Sequence, residues 1–384
     1  MGKLRAFTLT FSKPERVYTA GELIAGNVVV QLNENMRMRG ILISFKGNSH
    51  VKFEKTKSRS TYTYKANEDY FDNTCTLFKP ADGTEYLHQG EHRFSFQFQL
   101  PPALPGTFEG EFGHVRYYVK CRIDRPWKFD HCVKEAFSVL GKLDLNSEPG
   151  ADMPQHLENS EKSYNCCCME DGAAKLTLNI PRTGYVPGES IPITAEVSNS
   201  VPEILTLTVE LIQYLTFKAG SHTRELRNVV SQFEPVKILT RQDYFANQQP
   251  LHIPAIPPSR LDGCDIIDVQ YALKVKATTG WFEVKCKGKI IIGTIPLRSV
   301  VDAYRTPPLA DLNSIALEPS APAIPFPPAV HSPQPPPNAA AFEMPPPSYE
   351  ECVFGTTNIR DTDDTDFTFG SATYAPKYTY YKWT

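Results

Sequence analysis

Pro346-Pro347-Ser348-Tyr349 closes a long proline-rich passage, and it is the stretch whose residue types most directly suggest a task. Consecutive prolines hold a left-handed polyproline II helix before a partner arrives, so little further entropy is lost on docking. Such a helix fits the aromatic-lined groove of a WW-type proline reader, where Tyr349 supplies a ring and a hydroxyl one turn further on. That tyrosine separates this mode from plain PxxP docking. As bare sequence, the same residues also suit a spacer that happens to end in tyrosine. A contact this short is far smaller than the roughly 1,600 Å² of a standard interface. It implies single-site affinity near micromolar, about −8 kcal/mol, with avidity needed for firm recruitment.

Other residues carry weaker chemical signals. Arg116, Lys120 and Arg122 alternate along one apolar run and are followed by Arg125 and Lys128. This stripe suits phosphate or acidic tails, and it equally suits a solvated strand face. Lys52, Lys55, Lys57, Arg59 and Lys65 form a second basic stretch, read as a loop over 50–65, with the same two readings. Cys166-Cys167-Cys168 lacks the C-x-x-C spacing and a nearby histidine, so no metal site is expected there. Acylation or redox chemistry suits accessible thiols, but three free cysteines are the simpler reading. Thr362 and Thr365, in "DTDDTDFTFG", are candidate phosphorylation sites. No G-x-S-x-G, H-E-x-x-H, P-loop or dinucleotide fingerprint is present. The histidines are scattered, and Glu109/Glu111 follow from an acidic loop. These features predict no catalytic residues, no cofactor and no small-molecule substrate.

The elements that must position these residues read as β. With 384 residues, 41% hydrophobic and 22% charged, the chain has room for two domains of roughly 100–200 residues each. No stretch approaches the ~20 apolar residues that cross a bilayer, and the opening residues have no apolar secretory core. Cysteines without such a leader predict reduced thiols and a cytoplasmic location. Residues 301–384 hold ten Asp/Glu against four Lys/Arg, net −6, so the total of −3 leaves +3 for residues 1–300. That mild imbalance does not predict a nucleic-acid binder. "GNVVVQL", "GILISFKG", "HRFSFQFQL" and "HVRYYVKCRI" show the alternation of half-buried strands. In the last, Val115, Tyr117, Val119, Cys121 and Ile123 share a face, and the cations share the other.

Three segments recur in order. Tyr18–Ile24 answers Tyr185–Ile191 at an offset of 167, Leu100–Gly110 answers Ile253–Gly263 at 153, and Val115–Lys120 answers Val269–Lys274 at 154. This predicts two β-sandwiches of one kind in tandem, over 1–148 and 173–300, joined by a linker over 149–172. Residues 301–384 hold 15 of the 33 prolines. They are too poor in periodic apolar residues to offset an ordering entropy of about 1–2 kcal/mol per residue, so a disordered, acidic, proline-rich tail is expected. Within it, PxxP spacings such as Pro322 to Pro325 could meet other proline readers, although a stiff spacer is the plainer reading.

The tandem sandwiches, "LPPALPGTFEGEFGHVRYYVKCRIDRPWKFD", "GYVPGESIPITAEVSN" and "IIGTIPL" closely resemble the arrestin-domain-containing proteins, or α-arrestins. The resemblance implies two arrestin-like immunoglobulin-type β-sandwiches joined by a short hinge. It implies an adaptor that brings WW-domain HECT-type ubiquitin ligases to membrane receptor or transporter cargo, with recruitment to plasma membrane and endosomes. It also lets the N-domain stripe (Arg116, Lys120, Arg122, Arg125, Lys128) face cargo tails. The family usually carries two Pro-Pro-x-Tyr motifs. Here one is intact, and Ala375-Pro376-Lys377-Tyr378 is a degraded copy, so Pro376 and Tyr378 are expected to dock more weakly. The loop over 239–253 lacks the cysteine that the thioredoxin-interacting member uses there, so that regulation is not expected.

Overall fold

The structure is a computed structural model that describes residues 3–80, 86–164, 170–305, 348–360 and 364–383. The N-terminal half contains β1 (Leu4–Phe11), β2 (Leu23–Leu32), β3 (Gly40–Lys57), β4 (Ser60–Phe78), β5 (Gly90–Gln99), β6 (Gly113–Asp124) and β7 (His131–Leu140). One sheet has the order β1-β2-β5. The facing sheet has the order Val17–Thr19, β7, β6, β3, β4. The C-terminal half contains β8 (Gln155–Tyr164), β9 (Glu170–Ile180), β10 (Ser190–Asn199), β11 (Leu205–Ala219), β12 (His222–Gln232), β13 (Asp243–His252), β14 (Ile267–Thr278) and β15 (Glu283–Ile292). Its sheets are ordered β8-β9-β10-β13 and Gly184–Tyr185, β15, β14, β11, β12. The second sheets of the two halves match position for position, which is the duplication that the repeats predict.

The repeated residues explain themselves in the fold. Tyr18 and Tyr185 lie on the short parallel strands beside β7 and β15 and are almost fully buried. Gly21 (φ +79°) and Gly188 (φ +94°) take the left-handed turn that follows, where an L side chain is strained. Glu22 and Glu189 close that turn, their carboxylates accepting the Thr19 and Val186 amides at 2.9 and 2.8 Å. Tyr117 and Tyr271 each donate to a proline carbonyl, of Pro105 and Pro257, at 2.7 Å. The proline-rich loops thus hang from the central strand of each sandwich.

Val115, Tyr117, Val119, Cys121 and Ile123 are wholly buried, as the alternation of β6 predicts. Phe217 of β11 is also fully buried, against Phe112 (5.8 Å) and Phe108 (6.3 Å) of the N-terminal half. The two sandwiches therefore share apolar contacts at this junction. Trp127 and Trp281 sit at corresponding hairpin tips, between β6 and β7 and between β14 and β15, and are 96% and 59% exposed.

Three features depart from the sequence reading. The linker expected over 149–172 contains β8, an edge strand paired with β9. Its mostly polar residues hide it because an edge strand buries only one face. The basic stretch over 50–65 is not a loop but the two-stranded ribbon of β3 and β4, turning at Ser58 (φ +57°). After the second sandwich the chain forms α1 (Arg298–Arg305). Residues 348–360 and 364–383, which fall in the stretch expected to be solvated, are laid across both sandwiches as a strap. The low apolar content of 301–384 conceals aromatics that cluster at its end, from Tyr374 to Trp383. Pro322 and Pro325, Pro346 and Pro347, Cys166–Cys168 and Thr362 lie outside the described residues.

Candidate functional site

The strap adds three short strands: β16 (Ser348–Glu351), β17 (Thr368–Gly370) and β18 (Lys377–Tyr380). β17 runs parallel to β7, with Cys132 opposite Thr368 and Lys134 opposite Gly370. β17 covers the edge of β7, while Ile359, Asp364 and Tyr374 of the strap lie over Lys134 and Ser138 on its outer face. β7 is therefore buried on both faces from His131 to Val139 although it contains Lys134 and Glu135. Each charge has a partner. Glu135 receives Arg16 at 2.6 Å and the Ser371 hydroxyl at 3.2 Å. Lys134 donates to the Ile359 carbonyl at 2.9 Å, faces the Tyr118 ring at 4.2 Å and lies 3.4 Å from Asp364. Asp364 also accepts from Lys120 at 2.8 Å, so one nearly buried carboxylate is shared between two lysines of adjacent strands.

The predicted basic stripe is thereby divided, and the expectation of an open cationic face over Arg116 and Lys120 is corrected. Arg116 is 5% exposed and makes a bidentate pair with Glu109 at 2.7 and 2.8 Å. Lys120 is held by Asp364. The outward charges are at the far end of the strand. Arg122 lies 3.3 Å from Asp130, Arg125 donates to the Phe129 carbonyl, and Lys128 is exposed beside Trp127. The carboxylates that neutralise the inner cations come from the short strand Phe108–Gly110, paired antiparallel with β6, and from the strap. Alternation along β6 carries no signal of either.

The strap then crosses to the second sandwich. Tyr374 shares a 2.6 Å hydrogen bond with the Ser138 hydroxyl, and burial pushes its phenol well above the usual range. Pro376 is buried, and Tyr378 donates to the Thr107 carbonyl at 3.2 Å with 5% of its surface exposed. The degraded motif is therefore packing material in this fold and not an exposed docking ring, which corrects the expectation for Pro376 and Tyr378. The Tyr381 amide donates to the Pro187 carbonyl at 3.0 Å, and its hydroxyl donates to the Thr294 carbonyl at 2.8 Å. Burial raises the Tyr381 phenol to about 12. Trp383 closes the strap, its ring tilted against Tyr381 (5.7 Å) and Tyr304 of α1 (4.9 Å).

Tyr349 occupies the middle of β16, which pairs antiparallel with β18 so that Ser348 faces Tyr380 and Tyr349 faces Thr379. The Ser348 hydroxyl donates to the Tyr380 carbonyl at 3.0 Å. The Tyr349 residue is half-buried and lines a cavity of about 810 Å³ between the sandwiches, together with Leu104, Gly106, Lys142, Pro258 and Arg260. Sequence reasoning picked out this tyrosine but not its pairing. The one local hint is that Tyr349 and Tyr378 each end a proline-tyrosine stretch, and the fold pairs Ser348–Glu351 with Lys377–Tyr380.

Among the described residues no group of histidine, cysteine and carboxylate side chains could hold a metal, and no helix is long and apolar enough to cross a membrane. Two β-sandwiches of one kind, bridged by a strap, define a tandem all-β architecture. The family comparison sharpens this class. The profile of the arrestin (or S-antigen) N-terminal domain matches residues 7–146, and that of the arrestin (or S-antigen) C-terminal domain matches residues 170–297. Arrestin domain-containing protein 17 of Caenorhabditis elegans is 28% identical over 99% of this chain and 100% of its own length. Human arrestin domain-containing protein 4 is 28% identical over 77% of this chain and 72% of its own length. For human arrestin domain-containing protein 1 the values are 29%, 86% and 72%. The chain belongs to the arrestin family, in its arrestin-domain-containing (α-arrestin) branch, and its architecture is that of an arrestin-like adaptor.

Proposed function

We propose that this adaptor recruits a WW-domain ubiquitin ligase of the HECT class to membrane receptor or transporter cargo, through the motif ending in Tyr349. The outcome is ubiquitination, endocytosis and endosomal sorting of the cargo, with recruitment of the adaptor to plasma membrane and endosomes. The observation that supports this reading most is the intact Pro346-Pro347-Ser348-Tyr349, at the exit of a proline-rich stretch on a chain with both arrestin domains. The prolines pre-organise the ligand, and the tyrosine gives it its specificity. For cargo, Arg122, Arg125 and Lys128 are the members of the stripe nearest solvent, and they suit an acidic tail whose binding weakens as salt rises.

The test is capture of a HECT ligase by the full chain and by Tyr349→Ala. The substitution is expected to abolish capture and cargo ubiquitination while leaving the thermal transition of the sandwiches unchanged. Capture that survives it overturns the recruitment reading. If PxxP-reading domains are captured instead, irrespective of Tyr349, the tail belongs to a signalling scaffold with no tie to ubiquitin.

A further inference from the structure

The docking tyrosine sits in a paired strand, and a proline-reading groove needs it in another state. We propose that β16 and β18 form an intramolecular lock: Tyr349 becomes available to a WW groove only after Ser348–Glu351 has peeled away from Lys377–Tyr380. This inference rests on the recruitment reading above and adds its regulation.

The backbone makes the first argument. A polyproline II ligand carries no internal hydrogen bonds and offers its backbone and rings to the receptor. In β16 the Ser348 and Tyr349 of that motif are engaged in an antiparallel ladder that runs from Ser348 opposite Tyr380 to Glu351 opposite Lys377. The ring makes the second. Tyr349 is half-buried where it lines the inter-sandwich cavity beside Thr379 and Tyr381, so a groove that must enclose the ring meets the protein's own surface first.

The asymmetry of the pair shows which strand moves. β18 is pinned: Pro376 is buried before it, the Tyr378 hydroxyl reaches Thr107, and Tyr381 is bonded to Pro187 and Thr294 of the second sandwich. β16 has β18 as its only strand neighbour among the described residues, and Glu351 is exposed. Just past it, the Cys352 amide donates to the Pro376 carbonyl at 3.0 Å and the Val353 amide to the Ala255 carbonyl at 3.2 Å. These two bonds are the fixed end about which the short strand peels. A ligand that binds only the open state has its affinity divided by the open fraction. A lock closed nine-tenths of the time thus weakens docking about ten-fold, and one closed ninety-nine-hundredths about a hundred-fold.

Calorimetric titration with an isolated WW domain of a HECT ligase tests this on three ligands. They are a synthetic peptide of residues 343–354, the full chain, and the full chain carrying Glu351→Cys with Lys377→Cys. The substituted residues face each other across the ladder, while neighbouring Cys352 is buried and shielded from them. The peptide is expected to bind in the micromolar range and the full chain at least ten-fold more weakly. The oxidised double variant is expected to show no measurable binding, and reduction is expected to restore the full-chain value. A full chain that binds as tightly as the peptide overturns the lock and leaves recruitment standing. So does an oxidised variant that binds as well as its reduced form. A peptide that does not bind overturns the recruitment reading itself.

Discussion

Arg116 shows how a single residue can change role between sequence and fold. By alternation it belongs to an outward stripe, yet Glu109 meets it in a bidentate pair and both side chains are nearly inaccessible. Removing one partner of a buried pair strands the other charge in a poorly solvated site. Arg116→Ala or Glu109→Ala is therefore expected to destabilise the N-terminal sandwich by about 3–5 kcal/mol in urea unfolding. The double variant is expected to lose less than the sum of the two. Lys128→Ala, on an exposed tip, is expected to fall within about 0.5 kcal/mol of the parent. What sequence made legible at this scale was the buried set, Val115 to Ile123, because a strand period of two is a local property. The partners of the intervening cations were not legible. Asp364 lies more than two hundred positions from Lys120 and Lys134, and no period links them.

At the scale of elements, β7 carried a readable warning. An apolar run that also contains Lys134 and Glu135, with no alternation, describes a strand covered on both sides. The outer cover here is the strap, which also lays β17 along the edge. Gly370 is the point of closest approach. Its φ is +104°, and a Cβ there would come within 2.1 Å of the Lys134 carbonyl oxygen. Gly370→Ala is expected to unseat β17, a loss of order 1–3 kcal/mol from strain alone. It should be read as faster hydrogen exchange at the Cys132 amide, which donates to the Phe367 carbonyl, with the main melting transition nearly unmoved. Full protection of Cys132 in that variant would show that β17 does not depend on the left-handed glycine. β8 was missed for a related reason. Edge strands need few apolar residues, so a polar stretch between two domains looks like linker until its pairing is known.

For the whole molecule, the repeats at offsets of 153 to 167 were enough to read a duplicated sandwich, because turn glycines, capping carboxylates and loop-anchoring tyrosines are demanded by each copy separately. How the copies meet was not legible, since Phe217 is simply another apolar residue in its strand. Its ring fills the junction, so Phe217→Ala is expected to cost about 3–5 kcal/mol. It should also turn one calorimetric transition into two, as each sandwich comes to unfold on its own. A single unshifted transition would mean that the junction does not couple them.

The placement of the tryptophans has a practical corollary. Of the three in the chain, Trp127 stands almost fully in water on a hairpin tip, Trp281 is partly covered beside Phe282 on the other tip, and Trp383 rests in an aromatic nest beside Tyr304 and Tyr381. Unseating the C-terminal end moves the Trp383 indole into water and reddens the emission, so the protein carries its own optical gauge of whether that end is seated.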